Sequence, residues 1–170
     1  LAMAFREGLK QAVEFDREMV KLVQITGKTQ KSLQPLVNQI TNLSENFGVA
    51  SSSLIKMSRI LAQTGLSAND TKLAMKALAL TELAPTFSNI EKTAEGAIAA
   101  MRQFDIAAKD LHITLGAINA VSKQFAVESD DIITAIRRTG GVFRAAGGEV
   151  NELIALFTSI RATTRETAET

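Results

Sequence analysis

His112 is the only histidine in a chain that has no cysteine, tryptophan or tyrosine. Histidine titrates near neutral pH and serves as a general base or as a metal ligand. Either role needs partners, such as a second histidine, a thiolate or the carboxylate of an HExxH motif, and the sequence supplies none of these. We therefore interpret His112 as a structural residue, and we predict no catalytic residue, no metal site and no cofactor.

Two other patterns resemble fragments of active sites. The serine run at 51–53 lacks the GxSxG setting of a nucleophile elbow, and its position favours a helix start. The glycine pairs at 140–141 and 147–148 lack the lysine of a P-loop and follow no predicted strand, so neither matches a phosphate-binding loop. We predict that the second pair ends a helix, and that the first pair is a weak point, a bend or a stop.

The charges are balanced, with 19 basic and 18 acidic residues and a net charge of +1. The small basic group Arg137, Arg138 and Arg144 follows a predicted helix start at Asp130 and Asp131, where it complements the helix dipole. A nucleic-acid interface needs a wider basic face with stacking aromatics. No apolar run approaches the roughly 20 residues of a membrane span. We predict no nucleic-acid site, no membrane span and no small-molecule substrate.

The elements that carry these residues are predicted to be helices. Hydrophobic residues make up 46% of the chain, only two residues are proline, and no strand pattern is present. An amphipathic helix is predicted over about 3–25, with Gly27 as its break, and a second carries Leu33, Ile40 and Leu43 at helical spacing. The predicted fold is all-α, an array of short antiparallel helical hairpins that is either compact or elongated.

One short phrase occurs three times, as FGVASSSL at 47–54, FDIAAKDL at 104–111 and FAVESDDI at 125–132. With Ala50, Ala107 and Glu128 as N-caps, the aliphatic residues of each phrase fall at the two positions of a hydrophobic staple. The phenylalanine would close the preceding helix against the next one. The predicted staple pairs are Val49 with Leu54, Ile106 with Leu111, and Val127 with Ile132. Each phrase is therefore interpreted as a joint between helices.

Other joints use glycine stops and capping boxes. In GLSAND at 65–70 a glycine ends one helix, and a serine and an aspartate three residues later start the next. Ser88 and Glu91 are predicted to do the same after a proline. AAGGEVNEL at 145–153 resembles the first of these joints. The residues predicted to form joints are Phe47, Val49, Leu54, Gly65, Ser67, Asp70, Phe104, Ile106, Leu111, Phe125, Val127, Ile132 and Gly147.

The joints divide the chain into an N-terminal helical arm, 1–46, and a core region, 47–170. Within the core region two related helix-turn-helix units are predicted, flanking two central helices. The units span 47–83 and 125–162, and the central helices about 89–103 and about 107–122. The chain begins without methionine and has no signal-peptide pattern, so we expect it to be a piece of a longer protein.

The stretch FGVASSSLIKMSRILAQTGLSANDTKLAMKALAL resembles the core region of tailed-phage tail tape measure proteins, in which such a helix start, glycine turn and Ala/Leu-rich helix recur. The run SKQFAVESDDIITAIRRTGGVFRAAGGEVNELIALFTSIRATTRETAET is similar to a second unit of that family. The resemblance covers about 45–170. Three positions depart from it: Ala50 and Glu128 stand where a serine cap is usual, and Gly148 stands where an apolar residue is usual.

The resemblance implies a structural protein of a phage or prophage tail and not an enzyme. Such chains occupy the lumen of the tail tube, set its length, and leave ahead of the DNA; before assembly they are in the host cytoplasm. The implied partners are other copies of the chain, tail tube and tail tip proteins, and a tail assembly chaperone. The alternatives are a helical interaction module of a secreted effector or adhesin stalk, and an enzyme such as a cell-wall hydrolase.

Overall fold

The computed structural model describes residues 2–166, and within that range the chain is helical between short connections and contains no strand. This confirms the predicted all-α fold. A short 3₁₀ turn, Lys31–Leu33, precedes the second helix. The eight helices are α1 Ala2–Thr26, α2 Gln34–Phe47, α3 Ser51–Ala62, α4 Ala68–Glu82, α5 Ile90–Gln103, α6 Leu111–Phe125, α7 Ser129–Ala145 and α8 Val150–Glu166.

The chain divides into two compact units, Leu1–Leu83 and Ala84–Thr170. The first unit contains α1 to α4 and the second α5 to α8. Because α2 packs against both α3 and α4, the arm predicted for residues 1–46 belongs in its packing with residues 47–83. The division that the structure shows therefore falls one hairpin later than the boundary drawn from the sequence.

In the first unit the most extensive helix contact joins α1 to α3, and α3 also packs on α4 and α2. Each helix turns an apolar stripe inward, and the Met57 and Leu54 side chains of α3 lie at the centre with no exposed surface. Burial of such side chains supplies about 1.5–3 kcal/mol each, which makes this interior the main source of stability. The other fully buried large side chains here are Leu22, Ile40, Ile55, Leu61, Met75 and Leu78.

In the second unit the corresponding pairs of helices are in contact. Its most extensive contact joins α5 to α7, the first helix to the third, and α7 packs on α8 while α6 packs on both. Its fully buried large side chains include Leu111, Ile118, Ile132, Ile133 and Ile136. The same four-helix topology is therefore present twice.

Specific polar contacts repeat as well. In each unit, a pair of serines joins the second helix to the third, and an arginine–glutamate ion pair joins the first helix to the third. The residues contributed by the third helix lie 78 positions apart between the units. The pairs are Ser51–Ser44 and Ser129–Ser122, and Arg59–Glu18 and Arg137–Glu95. At a third pair of equivalent positions the side chains differ: Ser52 donates to Gln11 of α1, and Asp130 accepts from Ser88, which precedes α5. The repeat recognised in the sequence over 47–83 and 125–162 thus extends to the two helices that precede each of those segments.

Gly140 and Gly141 do not end a helix, so the predicted stop is wrong. α7 continues through them to Ala145, and Gly140 is buried against α5. A side chain at Gly140 would overlap the amide of Gln103 and the ring of Phe104. The glycine is needed for close helix packing, which a local reading of a Gly-Gly pair does not reveal.

Candidate functional site: helix joints and open apolar faces

His112 lies in the first turn of α6 with its side chain exposed. Its Nδ1 atom is 2.7 Å from the carbonyl oxygen of Lys109, a contact that ties the ring to the preceding turn. Over residues 2–166 the structure shows no cluster of three or more histidine and carboxylate side chains that could hold a metal ion. The geometry around His112 therefore indicates a local structural contact.

The joint between α2 and α3 has the register that its spacing predicts. Gly48 ends α2 in a left-handed conformation, φ +68°, and its N–H donates to the Ser44 carbonyl at 2.8 Å. Ala50 occupies the N-cap position, and Val49 and Leu54 on either side of it are both buried. Because the cap offers no side-chain oxygen, the entry to α3 depends on the paired aliphatic side chains.

All three phrases share a feature that the sequence reading missed. The residue after each phenylalanine adopts a positive φ: +68° at Gly48, +54° at Asp105 and +51° at Ala126. For residues other than glycine this conformation costs roughly 1–2 kcal/mol. The glycine in the first phrase was the available signal, since glycine is the usual residue at a left-handed helix end. The phrase therefore specifies a left-handed turn followed by an aliphatic residue, which is buried at Val49 and Val127 and half-buried at Ile106.

The joint between α6 and α7 also has the predicted register, with Glu128 as N-cap and Val127 and Ile132 buried. Asp131 in the first turn of α7 forms an ion pair with Arg161 of α8 at 3.2 Å. Phe125, however, is 47% exposed, so the prediction that it closes α6 against α7 is wrong. It lies instead beside Ala155 and Thr158 of α8. By contrast, Phe104 is buried and Phe47 is half-buried.

The joint between α5 and α6 departs from the predicted register. α6 begins at Leu111 with Asp110 as N-cap, and the Asp110 N–H donates to the Ala107 carbonyl at 2.9 Å in an additional turn. With Asp110 as N-cap, Leu111 is the first residue of the helix, so Ile106 and Leu111 do not take the two staple positions. Leu111 is fully buried, and Ile106 is half-buried. Ala107 has no side-chain acceptor, whereas the Asp110 carboxylate lies at the positive end of the helix dipole.

The joint between α3 and α4 is capped by Ser67, and its side-chain partner is Asp70, the residue predicted for the capping box. The Asp70 N–H donates to Ser67 Oγ at 3.0 Å, and the Ser67 hydroxyl donates to the Asp70 carboxylate at 2.7 Å. Gly65 precedes it at φ +72°. Helix α5 was predicted to be capped by Ser88, but Asn89 is the cap: its Oδ1 accepts from the Lys92 N–H at 2.9 Å. The Ser88 hydroxyl donates instead to the Asp130 carboxylate.

Gly147 ends α7 in a two-bond left-handed motif. Its N–H donates to the Arg144 carbonyl at 2.9 Å, and the Gly148 N–H donates to the Phe143 carbonyl at 3.0 Å. A side chain at Gly148 would overlap the Phe143 ring. This contact explains why the chain has glycine where the resembling family has an apolar residue. The Glu149 N–H then donates to the Glu152 carboxylate at 2.8 Å at the start of α8.

Helix α1 presents an apolar surface on the side turned away from α3, which we call the α1 face. It consists of Phe5, Leu9, Val13 and Val20, all exposed, with Leu9 and Val20 each 57% exposed. Their spacing of four, four and seven residues places them on one narrow stripe. One carboxylate, Asp16, lies between the two valines.

The side of α1 that packs on α3 is charged at its edge. Arg59 donates to the buried Glu18 at 2.7 Å, and Lys56 pairs with Glu14. Burial by itself would raise the pKa of Glu18, but hydrogen bonds from Lys21 and Arg59 outweigh it and lower that pKa. The pKa of Glu14 is lowered by its hydrogen bond to Lys56. Both carboxylates are therefore stabilised in the charged form by the folded unit.

A second apolar surface lies between α7 and α8, and we call it the α7–α8 groove. It has a volume of about 630 Å³. Leu156 and Ile160 are half exposed along it. Arg138 also lines it, two helical turns along α7 from the Asp131–Arg161 ion pair. The remaining apolar lining comes from Ala135, Phe143, Leu153 and Phe157.

A groove of the first unit, about 950 Å³, lies where the end of α1 meets α2 and the start of α4. Its lining mixes aliphatic side chains with amides, and Gln39 Nε2 crosses it to donate to the Lys72 carbonyl at 3.1 Å. No carboxylate or imidazole lines it. Its chemistry is that of a polar cleft between helices.

A family model described as phage-related minor tail protein matches residues 37–170, which is more than half of the chain. No solved structure was found to match the chain. The matched span begins inside α2 and includes the whole of the second unit. None of the helices in the described part of the chain combines the length and apolar character that crossing a bilayer requires.

Proposed function

The chain belongs to the phage-related minor tail protein family, and on that premise we propose that it is a segment of a tail tape measure protein. In this role the protein sets the length of the tail and supports tail assembly and DNA delivery. The single observation that carries the proposal is the tandem of two four-helix units in which corresponding helices are in contact, found in a chain of this family.

Repeated helical units suit a measuring function for a physical reason. An α-helix rises about 1.5 Å per residue, so a chain of capped helices converts residue number into distance in a fixed ratio. The joint residues, from Phe47 to Gly147, are proposed to hold the order of the helices and take no part in a reaction. The left-handed turns and capping hydrogen bonds at these joints support this reading.

The proposed setting follows from the same role. The protein would occupy the lumen of the tail tube in the virion and the host cytoplasm before assembly. Its partners would be other copies of itself, tail tube and tail tip proteins, and a tail assembly chaperone. A free phage and a prophage or tail-like particle fit equally well.

The test is a change of length in the parent gene. Deletion of residues 49–126 joins Gly48 to Val127, which restores a Phe-Gly-Val joint, and a second variant duplicates the same segment. If the segment is measured out as α-helix, tails shorten or lengthen by roughly 120 Å, as electron microscopy of purified particles would show. Ser67→Ala, which changes a cap and not the length, is the control. Particles with unchanged tails in both length variants would contradict the proposal.

A further inference from the structure

The two units provide an internal control for which surfaces the fold itself requires. Each residue of the first unit can be compared with the residue 78 positions later. Exposed Val13 of α1 then corresponds to exposed Glu91 of α5, and exposed Val20 corresponds to half-buried Ile98. The four-helix unit therefore forms without an exposed apolar stripe on its first helix. The α1 face is a feature of the first unit alone.

The α7–α8 groove is likewise particular to the second unit. In the first unit the position of Leu156 is taken by the fully buried Leu78 of α4 and that of Ile160 by Glu82, while α4 exposes Leu80 at another position. Its counterpart α8 leaves Leu156 and Ile160 half exposed. Contiguous apolar surface of this kind marks an interaction site when polar residues border it, as Arg138 and Asp131 do here.

The two surfaces match in shape. The α1 face is a single narrow ridge, which is the form that seats between two helices rather than on a broad surface. From Phe5 to Val20 it spans about 22 Å, and the wall of the groove from Asp131 to Phe143 along α7 spans about 18 Å. The ridge is therefore long enough to cover the whole groove wall.

The charges of the two surfaces are complementary, both at one pair of side chains and in the net charges of the two units. Asp16 is the one carboxylate on the α1 face and Arg138 the one cation on the groove wall of α7, and neither pairs with a side chain in the described part of its own chain. Asp16 lies about 6 Å along α1 from Val20, one end of its surface, and Arg138 lies about 8 Å along α7 from Phe143, one end of the groove wall. Residues 1–83 also carry three more basic than acidic side chains, and residues 84–170 carry two more acidic than basic ones.

We propose that the α1 face of one copy docks into the α7–α8 groove of a second copy, with Asp16 against Arg138. The two surfaces are different, so the contact is head-to-tail, and each copy in a pair keeps one surface free to bind a further copy. This inference rests on the proposed function for its biological setting, where it names the contact between copies. Its test needs only purified protein, so its failure is distinguishable from failure of the tape measure role.

The first experiment is sedimentation of the full chain over a range of concentrations. The unmodified chain is expected to form a concentration-dependent series of oligomers. A variant with Leu9→Glu and Val13→Glu lacks the ridge, and a variant with Leu156→Glu and Ile160→Glu lacks the groove. Each alone is expected to stay monomeric, with association weakened at least roughly tenfold. Because all four positions are exposed, helix content by circular dichroism should be unchanged.

Mixing the two variants decides the mode of association. Each retains one working surface, so a 1:1 mixture is expected to give a dimer that does not grow. A monomeric mixture, self-association by either variant alone, or an unmodified chain that stays monomeric would overturn the proposal. Binding of the α1 face to vesicles of anionic phospholipid in place of self-association would overturn it as well.

A charge exchange tests the named contact. Asp16→Arg and Arg138→Asp, made separately, are each expected to weaken association roughly two- to fivefold. The chain carrying both changes should recover most of that loss. Glu45→Arg, on the exposed side of α2, is the control and should leave association unchanged. Equal weakening in the single and double variants would rule out the Asp16–Arg138 contact.

Discussion

The contact between first and third helices is built differently in the two units. In the first, α1 meets α3 through large side chains and two ion pairs; in the second, α5 meets α7 through glycine, alanine and one ion pair. At positions 78 residues apart, Glu18, Met19 and Leu22 of α1 are replaced by Gly96, Ala97 and Ala100 of α5. Corresponding helices are nevertheless in contact in both units. We infer that the joints set which helices meet, and that the side chains set how closely those helices approach.

The largest effect is expected from shortening a buried side chain of α1 in the first unit. Leu22→Ala should lower the free energy of unfolding by about 2–5 kcal/mol, because Leu22 is fully buried and the vacated space cannot refill. Urea denaturation gives the loss, and amide hydrogen exchange assigns it to residues 2–83. Val20→Ala on the exposed side of the same helix is the matched control. A loss below 1 kcal/mol would mean that α1 is not held by its large side chains.

The ion pair of the first unit gives the next effect, and it depends on pH. Glu18→Gln should cost about 1.5–3 kcal/mol at neutral pH, the range for hydrogen bonds with charged groups. Since folding lowers the Glu18 pKa, its contribution is present above the unfolded value, 4.5, and disappears as the pH falls through the lower folded value. The difference between variant and unmodified chain should therefore shrink in acid. A difference that stays constant from neutral to acidic pH would exclude the ionic contribution.

A larger side chain on α5, in the second unit, tests the close approach of α5 and α7. Gly96→Ala should destabilise the chain by about 1–3 kcal/mol, because the new methyl group would overlap the side chain of Ile133. Adding Ile133→Ala should recover part of the loss. Gly116→Ala in α6 is the control: that site is open, and alanine there should be neutral or stabilising by up to about 1 kcal/mol. Thermal unfolding that ranks the two glycine variants equally would contradict the difference between the units.

The smallest effect concerns the joints that the units share. Ala126→Gly should raise the free energy of unfolding by roughly 1 kcal/mol, because glycine accepts the left-handed backbone that alanine adopts under strain. Gly48→Ala, at the same place in the first unit, should lower it by a similar amount. Opposite shifts in the melting temperatures of the Ala126→Gly and Gly48→Ala variants would support the equivalence of the two joints. Shifts of the same sign would contradict it.

Much of this fold could be predicted from local signals. The Ser67 cap with its partner Asp70, the stop at Gly147 and the registers at Ala50 and Glu128 depend on residues close in sequence, and the structure shows each of them. They follow from caps, staples and glycine stops, which act within a single turn.

Other features depend on contacts between distant residues and were not predictable in this way. Gly140 is required by Gln103 and Phe104, more than thirty positions earlier. Phe125 was expected inside because of its size, but its place at the end of α6 leaves it exposed beside α8. The α1 face could not be recognised from periodicity, because α1 carries apolar residues on two sides and only packing shows which side is used.

The equivalence of Gly48 and Ala126 also has a consequence for the gene. Both follow a phenylalanine codon and precede a valine codon, so misaligned recombination at these sites preserves the reading frame and rebuilds an intact turn. The product gains or loses one complete period of the structure, with no severed helix. A gene of this design can therefore change in size by whole steps, each of which starts from a chain whose local folding signals are already correct.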